Sequence, residues 1–110
     1  MTRPPESEIR ELHAQICQAL ADPTRIMLLY ALAESPKNVG ELASEVKLSQ
    51  PNVSRHLKVL RERGMATATR DGANVVYSLA DKRVIKALDL MREVLADHLA
   101  QRAQLAEAIG

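Results

Sequence analysis

The run Leu48-Ser49-Gln50-Pro51-Asn52-Val53-Ser54-Arg55-His56-Leu57-Lys58-Val59-Leu60-Arg61-Glu62-Arg63-Gly64 decides how this chain folds. Ser49 is a helix N-cap residue, Pro51 is tolerated in a first helical turn where N–H groups lack partners anyway, and Gly64 is a C-terminal stop. Turned at about 100° per residue, the segment Gln50 to Arg63 puts Val53, Leu57 and Leu60 on one face. Pro51, Arg55, Lys58 and Glu62 fall on the opposite face, flanked by Asn52, Ser54 and Val59. The sequence therefore predicts a helix with a buried apolar side and a basic, polar outer side.

Upstream, Asn38 can cap a short helix while Glu41 reaches back to it, a capping box, and Leu42, Ala43 and Val46 give that helix one apolar face. Lys47 and Leu48 leave room only for a tight turn. Two helices about three residues apart, the second longer and more basic, outline a helix-turn-helix. Downstream the period changes. Met65 to Arg70 and Val75 to Leu79 are short and rich in Thr, Val and Tyr, and Asp71, Gly72, Ala73 and Asn74 between them are turn formers, so a β-hairpin is expected.

Working outward, Asp22 followed by Pro23 starts a helix running through Ile26, Met27, Leu28, Leu29, Tyr30 and Leu32, apolar almost all round and so expected at the centre; Ser35, Pro36 and Lys37 stop it. Before it, Ile9, Leu12, Ile16 and Leu20, with His13 and Cys17 alongside, form the stripe of an amphipathic helix. Asp81 caps a last helix whose stripe of Ile85, Leu88, Met91 or Val94, Leu95, Leu99 and Leu105 extends almost to Ile109. Such a helix of roughly 27 residues is ~40 Å long, more than a domain of ~13 Å radius needs for its own core. The surplus apolar length calls for a second copy of the chain in a two-fold dimer.

The expected architecture is mainly α with a β-hairpin wing. Residues 1–8 are expected to be a flexible N-terminal tail, and 9–110 a single winged helix-turn-helix domain with N- and C-terminal dimerisation helices. At 110 residues the chain is one domain's worth, and 46% hydrophobic with 26% charged residues excludes a disordered or fibrous class. Two Tyr with no Phe or Trp exclude a nucleic-acid surface that stacks bases on aromatics. The one Cys excludes an intramolecular disulfide. No apolar run approaches a membrane span and Met1 to Glu8 lacks a signal-peptide pattern, so a cytoplasmic protein is expected.

The net charge of +1 hides an uneven distribution: residues 1–34 carry −2, 35–48 carry 0, 49–80 carry +3 and 81–110 carry 0. Positive charge concentrates where Arg55, Lys58, Arg61, Arg63 and Arg70 face only Glu62 and Asp71. A phosphate backbone meets local charge, not the sum. In the first turn of the predicted recognition helix, Gln50 and Asn52 have the amide geometry for adenine, Arg55 can hold guanine or phosphate, and Ser54 can hydrogen-bond either. Arg70 and Asn74 of the wing would reach the adjacent backbone or minor groove. His56, at the edge of the core face, either packs or contacts phosphate. The same residues could instead form an ordinary solvated helix face; the order of short helix, tight turn, basic helix and Gly-centred hairpin argues against that. Asn52-Val53-Ser54 also matches a glycosylation sequon, an accidental match in a chain without an export signal.

Four blocks together resemble the ArsR/SmtB family of bacterial winged-helix repressors: Ala19-Leu20-Ala21-Asp22-Pro23-Thr24-Arg25, Val39-Gly40-Glu41-Leu42-Ala43, Leu48 to Leu60, and Arg70-Asp71-Gly72 to Val76-Tyr77-Ser78-Leu79. The resemblance spans roughly residues 9 to 100. It implies a homodimer through the first and last helices and the Ser49 to Gly64 helix in the major groove of an inverted repeat. On that reading Ser49, Gln50, Pro51, Asn52, Ser54, Arg55, His56, Lys58, Arg70 and Asn74 meet double-stranded DNA. The resemblance also implies a repressor released by an effector, whose identity stays open.

Family members that sense metals use cysteines near the third helix or Asp and His on the last. Here the third-helix positions are Asn38, Val39 and Gly40, and the last-helix positions fall on Asp81, Arg83, Val94 and Asp97, so neither set is expected to bind a metal and no cofactor is expected. His13 and Cys17 at i, i+4 with Asp97 and His98 are residual metal candidates, against the plainer reading of Cys17 as a small hydrophobe buried at the dimer interface and His13 as an edge residue. Cys17 is also a redox candidate, though no second Cys is present to resolve a sulfenic acid. An enzyme is not expected: there is no nucleophile with an adjacent base and no Gly-rich phosphate loop. The rival from another class is a winged-helix module used only for protein docking or dimerisation.

Overall fold

The computed structural model describes residues 2–109. Helix α1 (Glu6–Leu12) runs on into a π-helical turn (His13–Cys17) and a 3-10 turn (Ala19–Ala21). There follow α2 (Pro23–Glu34), β1 (Lys37–Asn38), α3 (Val39–Val46), α4 (Gln50–Glu62), β2 (Ala66–Asp71), β3 (Asn74–Leu79) and α5 (Arg83–Ile109). Helix α1 begins ahead of its apolar stripe because Glu6 and Glu8 suit a helix N-terminus, and Glu6 pairs with Arg10 at 2.6 Å.

The caps read from the sequence form as hydrogen bonds. Asp22 accepts the N–H of Thr24 at 2.8 Å and of Arg25 at 3.3 Å. Burial raises the Asp22 pKa, yet these two bonds hold it below the usual carboxylate value. Asn38 accepts from the Glu41 N–H at 2.8 Å while the Glu41 carboxylate accepts from the Asn38 N–H at 3.0 Å, closing the capping box. Ser49 accepts from the Asn52 N–H at 3.3 Å.

One core holds these elements together. Leu28 and Leu29 of α2, Leu42 of α3 and Val53, Leu57 and Leu60 of α4 are fully buried, joined by Ala19, Met65 and Leu88. Burying each such leucine removes on the order of 2 kcal/mol of apolar exposure. Helix α2 is central as expected, but Met27 points outward and is half exposed.

Two local features depart from the sequence reading. Lys37 and Asn38, expected only to end α2, form an edge strand that pairs antiparallel with Tyr77 and Val76, so the wing belongs to a three-stranded sheet of order β1-β3-β2. The Lys37 side chain is buried, and its Nζ donates to Ala31 O at 2.6 Å and to Glu34 Oε1 at 3.2 Å, capping α2 with a cation. In the wing, Asp71 pairs with Asn74, so Gly72 and Ala73 alone make the turn. Gly72 has φ 63°, which suits glycine at the first central position of a two-residue hairpin.

Candidate nucleic-acid interface

Helix α4 divides as its sequence pattern requires. Its core face is fully buried, while Ser49, Gln50, Pro51, Ser54, Arg55 and Lys58 are exposed and Asn52 is partly exposed. The helix N-terminus and the wing converge: Gln50 and Asn38 to Gly40 at the start of α3 border one groove of ≈ 450 Å³ with Ala73, Asn74 and Val75. Gln50, Asn38 and Asn74 therefore share one concave surface with Val39, Gly40, Ala73 and Val75, and Arg70 and Asn74 stand exposed on the hairpin. Arg55 donates from Nη2 to Asn52 Oδ1, so these two side chains are joined on the outer face. The Asn52 amide NH2 remains a donor.

His56 sits apart from that face. It is half buried, and its Nδ1 lies 3.3 Å from Arg25 Nη1. A guanidinium only donates, so in this contact Nδ1 stands as the acceptor. Arg63, counted with the basic excess, also turns inward: its Nη1 donates to Ala14 O at 2.6 Å. The outward cations of this region are thus Arg55, Lys58, Arg61 and Arg70. Nothing in residue type separates Arg63 from them; only the placement of the first helix does.

Within one protomer the four sensing candidates do not form a cluster. His13 and Cys17 lie within the π-helical turn, and Asp97 and His98 are exposed on α5. Among the described residues no group of three or more His, Cys, Asp or Glu is gathered as a metal would need. Within the chain the Cys17 thiol is exposed, bordering a mostly apolar groove of ≈ 410 Å³ with Leu20, Ile26, Tyr30, Leu88 and Leu95. Asp81 takes the capping role expected of it, accepting from the Arg83 N–H at 2.9 Å. The Arg83 guanidinium and N–H together bring the Asp81 pKa down to about 2.

Sequence comparison settles what carries this geometry. Residues 22–68 match the profile of the bacterial regulatory protein, arsR family. The HTH-type transcriptional regulator Rv0081 of Mycobacterium tuberculosis is 40% identical over 104 residues, 93% of this chain and 91% of that one. The chain belongs to the ArsR family. It is a winged helix-turn-helix DNA-binding regulator and not an enzyme. The crystal structure of Rv0081 superposes with a TM-score of 0.77 at 38% identity, covering 93% of this chain and 99% of that one. The HTH-type transcriptional repressor SmtB of M. tuberculosis is 42% identical over 78 residues, 71% of this chain and 58% of SmtB. A homodimeric winged helix-turn-helix domain of Mb0332 from Mycobacterium bovis, solved by NMR, has a TM-score of 0.75 at 25% identity and covers 90% of this chain and 94% of that one.

Proposed function

We propose that this ArsR-family chain is a cytoplasmic homodimeric repressor that binds an inverted-repeat operator, lays Gln50 to Arg63 in the major groove and lets go when an effector alters the dimer. The observation that carries this reading is the shared groove of Gln50 and the wing turn at Ala73 and Asn74, which sets a base-reading helix and a backbone-gripping hairpin on one side of the molecule. Gln50, Asn52, Ser54 and Arg55 read base edges. Ser49, Pro51, Lys58, Arg70 and Asn74 sit against the phosphate backbone, and His56 faces Arg25 and steadies the helix from behind.

Selection from a random duplex library is expected to recover an inverted repeat with half-sites about one helical turn apart. Affinity for that duplex should fall about 10³- to 10⁵-fold between 50 and 200 mM salt if 6 to 10 phosphates are neutralised. Arg55→Ala and Gln50→Ala should relax base preference, costing about 1–3 kcal/mol of discrimination, while the dimer stays intact. Recovery of no sequence preference, with dimerisation unchanged, would leave the chain a protein-docking module.

A further inference from the structure

The last turns of the first helix present carbonyls at the negative end of the helix dipole, where cations are favoured. Two guanidinium groups occupy them. Arg25, at the start of α2, donates from Nε to Ala19 O at 2.6 Å and from Nη2 to Gln18 O at 3.2 Å, with Nη1 3.3 Å from His56 Nδ1 on α4. Arg63, at the other end of α4, donates from Nη1 to Ala14 O at 2.6 Å and reaches Gln15 Oε1 at 3.4 Å. His56, midway along α4, and Arg63, just past its C-terminal end, are two helical turns apart, so one side of the recognition helix is tied to the first helix directly by Arg63 and, through Arg25, at His56. Both arginines are partly buried.

We propose that Arg25 and Arg63 are positioning residues for DNA recognition: they fix the angle between the recognition helix and the first helix, and so the spacing of the two recognition helices across the dimer. The proposal rests on the operator reading above. Half-sites one helical turn apart, about 34 Å, tolerate little error in that spacing. A guanidinium makes this tie where an ammonium does not, because its planar fork spans two carbonyls and the imidazole at once.

The probes are the inverted-repeat duplex recovered by selection and the same duplex with one half scrambled. For Arg63→Met, we expect affinity for the full repeat to fall about tenfold, the loss of one charge-assisted bond, with the salt slope unchanged and the half-scrambled duplex bound within about threefold of wild type. Arg25→Lys, which keeps the charge and loses the fork, should show the same pattern and carries the test alone if Arg63→Met does not fold by circular dichroism. A salt slope shallower by about 0.9 in Arg63→Met, with both duplexes weakened equally, would make Arg63 a phosphate contact and overturn the proposal. Wild-type affinity of Arg25→Lys for the full repeat would overturn it too. A wild-type chain that does not distinguish the two duplexes sinks the operator reading instead.

Discussion

Gly64 and Lys47 hold the same left-handed backbone conformation, at φ 75° and 59°, and only the first announces itself in the sequence. Gly64 ends α4 where an αL residue is needed, and no atom lies within 4 Å of where its Cβ would be. Gly64→Ala therefore meets no steric clash, and its cost is backbone strain alone, about 1–2 kcal/mol. Urea denaturation checks this, and a loss below about 0.5 kcal/mol would contradict the strain argument. Lys47 bears a similar strain because the turn between α3 and α4 is too tight to avoid it, with its own N–H and that of Leu48 both bonded to Ala43 O. A lysine there gives a sequence reader no sign of positive φ. The outward polar residues of α4 were legible singly, since three buried apolar positions fix the helix's rotation; the inward turn of Arg63 and His56 was not, since their partners are 31 to 49 residues away.

At the level of elements, helix starts were the most readable feature, because an N-cap is an interaction within three residues. Asp81 illustrates how local it is. Its carboxylate, held by Arg83 with a pKa of about 2, favours the folded turn only while ionised. A depressed carboxylate pKa contributes stability above its unfolded value near 3.9, and that contribution is lost as pH falls toward 2. Acidification from about pH 4 to pH 2 should thus fray the first turn of α5, seen as loss of amide protection at Arg83, and Asp81→Asn should remove that step. Unchanged Arg83 protection across this range would show the cap to be dispensable. The strand β1 was missed for the opposite reason: two residues have no period, and only pairing with Tyr77 and Val76 makes them a strand. The π-helical turn at His13–Cys17 was equally invisible, since the apolar spacing before and after it fits an unbroken α-helix.

For the whole molecule, the radius of gyration of 17.3 Å exceeds the ~13 Å of a compact chain this long. The 27 residues of α5 account for the excess. The helix is anchored at its start by buried Leu88 and by Tyr30, whose hydroxyl donates to Asp89 at 2.6 Å beneath the Arg92 guanidinium. Burial and the Asp89 carboxylate raise the Tyr30 pKa, so the hydroxyl keeps its proton. Beyond that point Met91, Leu95, Leu99 and Leu105 form an apolar stripe that the described residues leave about half exposed. The double substitution Leu95→Glu with Leu99→Glu should leave the fold intact, because both side chains are about half exposed, and convert a dimer to a monomer in sedimentation. A dimer that survives it would place the interface elsewhere.

The sequence by itself determined the helices, their caps, the hairpin and the face of α4 that turns outward, because each follows from periodicity or from bonds between near neighbours. Tertiary structure alone decided which arginines face solvent, that Lys37 and Asn38 are a strand, and that the wing turn and Gln50 share one groove. Those outcomes depend on which distant carbonyl or strand a residue meets, and residue type is the same on either side of that choice.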